Sequence, residues 1–171
     1  MSRFSTVRTA VWDAIDNWPA LATTFKQKYR FQSTVPAGQP KQASDRRYEP
    51  TSITECDAIS IVPQAFPNEW KLNNLMEFDY ALTIKCWFKS ATADTAEDVM
   101  EKLLDAFWGA KASGAPQSYI RTALGGRIAR MLPFTVSTDL IGETGAEDDN
   151  RTKVLTLTGG IVLPVTYQPS V

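Results

Sequence analysis

The stretch from Met76 to Lys111, MEFDYALTIKCWFKSATADTAEDVMEKLLDAFWGAK, decides the fold. From Phe78 onward the even positions read Phe78, Tyr80, Leu82, Ile84, Cys86 and Phe88, and the odd positions Asp79, Ala81, Thr83, Lys85, Trp87 and Lys89. That period of two predicts a strand with one buried face. After a short polar connection, Val99, Met100, Leu103, Leu104, Phe107 and Trp108 recur at helical spacing, with Glu97, Asp98, Glu101, Lys102 and Asp105 turned away. A helix covering a sheet is the expectation. Thr95 and Asp98 stand at capping-box spacing, with Asp for the usual Glu, and predict the helix start there.

Toward the N-terminus, Val7, Val11, Ala14, Ile15 and Trp18 form one helical stripe over Arg3 to Trp18, with Ser2 or Ser5 as N-cap. Pro19 breaks it and, as a first-turn residue, begins a second short helix in which Leu21, Phe25 and Tyr29 follow at four-residue steps. From Ser33 to Thr54, Pro36, Gly38, Pro40 and Pro50 lie among polar residues, which predicts a long exposed loop or arm. Lys26, Lys28, Arg30, Lys41, Arg46 and Arg47 sit on or beside it. Its length favours a segment that orders against a partner subunit, and its composition a solvated, mobile surface. Asp57 to Val62 reads as a short strand with Ile59 and Ile61 on one side, stopped by Pro63, and Gln64 to Leu75 as a loop.

Toward the C-terminus, Gly109, Gly114 and Pro116 end the helix, and Gln117 to Leu124 supplies one or two helical turns closed by Gly125 and Gly126. Leu132, Phe134, Val136, Thr138 and Leu140 alternate with polar residues as a third strand. Gly142 to Asn150 is an acidic connection, and Arg151 to Tyr167 a fourth strand that Gly159 and Gly160 should bulge or bend. An antiparallel hairpin is the simplest pairing of the last two strands. The sum is an α+β fold: a small mixed, mostly antiparallel four-stranded sheet with helices packed on one face, in a single domain spanning 1–171 with an arm at about 33–54.

Composition narrows function by exclusion. With 171 residues and 43% hydrophobic content the chain can bury a core unaided. A formal charge of -1 offers no global attraction to nucleic acid or an anionic membrane. No window approaches the ~20 apolar residues of a membrane helix, and a cytosolic protein is expected. Cys56 and Cys86 are the only cysteines and form no C-x-x-C pair, so buried thiols are expected rather than a disulfide or a nucleophile. Histidine is absent, which removes the usual general base, the usual metal ligand and every Ser/His or Cys/His arrangement.

Few residues point to chemistry. Arg121, Arg127 and Arg130 cluster near the Gly125-Gly126 turn, but the spacing matches neither a P-loop nor a dinucleotide fingerprint. Glu143, Glu147, Asp148 and Asp149 lack calcium-loop spacing and read as a solvated turn. In a ring, the same carboxylates could line a channel through which DNA passes without sticking. Asp79 falls on the polar side of its strand, outside the apolar run that a carboxyl in acid/base work would need around it. Lys85-Cys86-Trp87-Phe88-Lys89 has the texture of a single-strand-binding platform, yet alternation sends Phe88 inward and leaves only Trp87 with the lysines. An outward Trp87 reads as packing against a neighbour, either another element of this chain or another copy. No catalytic residue, cofactor or metal is expected.

The order of elements resembles tailed-phage tail terminator, or tail completion, proteins. The residues that carry the likeness are the N-terminal helix Val7-Arg8-Thr9-Ala10-Val11-Trp12-Asp13, the long loop, the strand Ile59-Ser60-Ile61-Val62-Pro63, the strand-to-helix unit with Ala96-Glu97-Asp98-Val99, and the closing hairpin. It spans nearly the whole chain and departs by an insertion, Ala112 to Arg130, after the second helix. The resemblance implies a small α/β subunit that assembles as a hexameric ring on the end of the tail tube, stops its growth and offers the surface that joins the head. Its partners would be copies of itself, the tail tube protein and a head-completion or neck protein, with DNA passing through unbound. The protein would reside in the host cytoplasm and then in the virion. The interface would draw on Arg46, Arg47, Tyr48, Trp87, Arg121 and Arg127, and the channel on the acidic connection. Two other readings stand beside it: a head-completion or connector-stopper adaptor on the portal side, and an enzyme using Cys56 or Cys86.

Overall fold

The structure is a computed structural model that describes residues 3–30, 48–64, 69–72, 75–89, 92–109, 119–142 and 151–168, with 69–72 described by backbone alone. Its longest early strand is β4 (Leu75–Phe88), the alternating stretch of the sequence. Around it run β1 (Gln27–Tyr29), β2 (Ala58–Pro63), β3 (Glu69–Leu72), β5 (Arg130–Ile141) and β6 (Thr152–Tyr167). The helices are α1 (Arg3–Asn17), α2 (Pro19–Ala22), α3 (Ala93–Trp108) and α4 (Tyr119–Ala123), with a 3-10 turn at Ile53–Glu55.

The fold is α+β with a mixed, mostly antiparallel sheet. It has six strands rather than the expected four, in the order β1-β2-β4-β6-β5, with β3 paired to β4 beside β2. Only the β1–β2 pairing is parallel. The two added strands are short, and short strands leave too little alternation to detect. β1 also corrects the reading of Tyr29 as helical: α2 stops at Ala22, and Gln27–Tyr29 pairs with Ala58–Ser60. Tertiary pairing has overridden the four-residue spacing of Leu21, Phe25 and Tyr29.

The even positions of β4 face the helices. Tyr80, Leu82, Ile84, Cys86 and Phe88 join Leu157, Ile161, Leu163 and Val165 of β6 in one apolar core. From above, α1 contributes Val7, Val11, Trp12, Ala14 and Ile15, and α3 contributes Ala96, Val99, Leu103, Ala106 and Phe107. Burial follows the i, i+3, i+4 stripe on both helices. Leu104 and Trp108, expected within that stripe, are 37% and 39% exposed. The start of α3 also shifts, since Thr92 occupies the N-cap position and Asp98 turns outward to Lys102, 2.5 Å away.

Gly159 and Gly160 do not bulge β6. Its register with β4 runs unbroken from Met76–Tyr167 to Phe88–Leu155, and the irregularity lies in β5 between Leu132 and Thr135. The glycines serve close approach: a Cβ on Gly159 would fall 2.5 Å from the Phe134 ring. The turn after α4 matches expectation, with Gly125 and Gly126 at φ 64° and 84°, a region that favours glycine.

Candidate interaction surfaces

The sheet face opposite the helices carries a row of charged side chains. Odd positions of β4 point to it, and three ion pairs reach from β4 toward β5 or the residues just before it, across the intervening β6. Lys85 lies 2.7 Å from Asp139, Asp79 lies 2.8 Å from Arg130, and Glu77 pairs with Arg127. The spans are possible because β6 presents short side chains there, with Thr156, Thr158 and Gly160 opposite Trp87, Lys85 and Thr83. The Lys85 hydrogen bond holds the Asp139 carboxyl below its usual range, against a smaller opposing effect of burial, with a further contribution from Trp87. Asp79 is thus an ion-pair partner on the polar side, as its strand position implies.

Trp87 interrupts this polar face. It is 2% exposed, packed with Tyr29, Cys56, Ala58, Ile141 and Val154 and backed by Ile53, and Lys85 Nζ sits 5.0 Å from its ring centroid. Of the two neighbours open to it in sequence, this chain supplies the neighbour. Trp87 is therefore no exposed contact residue, because the segment around the 3-10 turn folds back under the sheet. Alternation alone could not show that the far face has a small core of its own.

The other expected contact residues are dispersed. Arg46 and Arg47, and all four acidic residues Glu143, Glu147, Asp148 and Asp149, lie outside the described residues, as does most of the 33–54 arm. Tyr48 is half-buried, and Arg121 is exposed on α4. Arg127 borders a cleft of about 330 Å³ with Arg3 and Thr166, where Arg3 donates to the Thr166 carbonyl at 2.7 Å. Glu77, the partner of Arg127, is ten positions from Trp87 on β4, about 33 Å along a strand. Arg127 and Trp87 thus do not belong to one patch.

Sequence reading missed two exposed apolar side chains of the sheet. Val136 and Leu140 on β5 are 43% and 52% exposed, although they lie on the helix-covered side opposite Leu157 and Lys153. The helix-side core takes in Met131 and Phe134 at the start of β5 but leaves Val136 and Leu140 open. Two-residue alternation shows which way a side chain points and nothing about how far the cover reaches.

Both thiols are buried, as expected. Burial first, then the neighbouring Asp57 and Glu55 carboxylates, pushes the Cys56 thiol up to about 11, and burial alone pushes that of Cys86 higher still. Each stays protonated at neutral pH, and thiols in that state are poor nucleophiles. Among the described residues no group of three or more His, Cys, Asp or Glu could hold a metal, and no helix is long and apolar enough to cross a membrane. Comparison with family models and with curated proteins finds no match to this chain.

Proposed function

We propose that this chain is a structural assembly protein of the tail terminator kind, forming a ring that caps the tail tube of a phage and presents the head-joining surface. The observation that carries this reading is the contrast between a closed helix-side core and an outer strand, β5, whose only strand partner among the described residues is β6 and whose Val136 and Leu140 are exposed. An open edge and an apolar strip favour contact with other polypeptide chains. The order of helix, short strand, long strand, covering helix and closing hairpin supports the same reading, being the layout on which the resemblance rests. Six copies in a head-to-tail ring, a tail tube protein below and a neck protein above are the proposed partners. DNA would cross the ring without specific binding, and the protein would pass from host cytoplasm to virion.

Electron microscopy of the purified protein mixed with tail tubes, and separately with portal complexes, tests this. Rings on tube ends support the terminator, whereas rings on portal alone would assign it to the head-completion or connector-stopper class. A cysteine enzyme is the weaker alternative, because both thiols are buried and protonated at neutral pH. Rapid alkylation of the native protein at neutral pH would revive it.

A further inference from the structure

The two edges of the sheet are not equivalent. At one edge β1 has three residues, and its Lys28, with Arg30 just beyond, is tied to Asp16 of α1. Short length and charge both discourage further pairing. At the other edge β5 has twelve residues, and among the described residues its only strand partner is β6. Pro133 and the irregularity between Leu132 and Thr135 blunt its first part, which leaves Thr135 to Ile141 regular. That segment, TVSTDLI, holds one charge, Asp139, already paired to Lys85.

We infer that the β5 edge is a self-pairing surface: in the free protein two copies join β5 to β5, antiparallel, about a two-fold axis at Thr138. The register follows from the residues. Centred on Thr138, Val136 meets the second copy's Leu140 on the helix side and Leu140 meets its Val136, so both exposed apolar residues gain apolar cross-strand partners. On the other side Ser137 meets Asp139, so no like charges face each other. Among the described residues no other strand edge of this chain is as long and as open, so a second copy's β5 is the matching occupant. A two-fold contact of this kind is isologous and closes on itself. The inference concerns the free protein and does not rest on the ring reading; a single head-to-tail ring has no such axis, so the pair would part as one ring closes.

Sedimentation of the full chain over a concentration series should show a monomer–dimer equilibrium. Val136→Lys with Leu140→Lys sets like charges opposite each other and should lower the association constant by at least about tenfold. Val136→Lys with Leu140→Glu sets Lys against Glu in this register and should restore pairing. All three substitutions fall on exposed side chains, and circular dichroism checks that the fold survives. Directly opposite residues have Cα atoms roughly 4.5–5.5 Å apart, within disulfide range. Under mild oxidation Thr138→Cys should therefore link two copies, whereas Val136→Cys, about 14 Å from its own mate, should not. The native thiols are buried and leave the readout clean. A wild-type monomer at every concentration, equal cross-linking at 136 and 138, or failure of the Lys/Glu pair to restore dimers would each overturn the inference.

Discussion

The two faces of β4 follow different rules although they share a backbone. On the helix side, Leu82, Ile84 and Cys86 are fully enclosed and cohere through apolar packing. On the other side, Asp79 and Lys85 are held by ion pairs that arch over β6, with Ala81 and its β6 neighbour Val162 buried between them and a larger apolar cluster gathered at Trp87. Position along the strand matters on the second face as much as orientation does. A residue's direction is local information, but its cover is decided by segments far away in sequence.

The sharpest way to break this contrast is Trp87→Ala. Loss of a large buried ring costs about 3–5 kcal/mol if the small cluster beneath the sheet is a true core, and urea unfolding will read it. A loss under about 1 kcal/mol would return Trp87 to the class of surface residues. Neighbouring positions sharpen the point: Leu82→Ala should cost about 2–5 kcal/mol and Thr83→Ala within about 0.5 kcal/mol, so equal losses would erase the distinction between the faces.

Acid should act on the ion pairs before it acts on the packing. Asp139 is lowered by its hydrogen bond from Lys85, and Asp16 is lowered because the hydrogen bonds and charges of Lys28 and Arg30 together outweigh its burial. A carboxyl whose folded pKa lies below its unfolded value contributes stability above the unfolded pKa and loses it as pH falls through the folded one. Stability should therefore decline below about pH 4, and Lys85→Met should flatten part of that decline. The effect at Asp139 is small because both partners are partly exposed, under about 1 kcal/mol after solvent screening. Smallest of all should be Arg130→Ala, with a cost within about 0.5 kcal/mol that fades in high salt, as a melting comparison at two ionic strengths will show.

How much of this was legible in the sequence depended on length and on distance. The β4–α3 unit, α1 and the β5–β6 hairpin could be read because each repeats its period several times. β1 and β3 could not, since three or four residues establish no period, and Tyr29 also fitted a helical step. The burial of Cys86 follows from alternation, but that of Trp87 depends on Tyr29, Cys56 and Ile141, which converge only in three dimensions. The exposure of Val136 and Leu140 was hidden for the converse reason. Their pattern promises cover, and the helix layer ends before reaching them.

The central place of β6 has a consequence for synthesis. Last in sequence among the described elements, it lies between β4 and β5 and beneath α1. Until it leaves the ribosome β4 has no partner along that side, and the 64 positions from Phe88 to Thr152 take roughly 3–13 seconds to translate at ~5–20 residues per second. For that interval the nascent chain displays an unpaired apolar strand, the kind of edge on which chains cross-pair and aggregate. Yield on overexpression should therefore respond to growth temperature and chaperone supply more than the packing of the finished core would suggest.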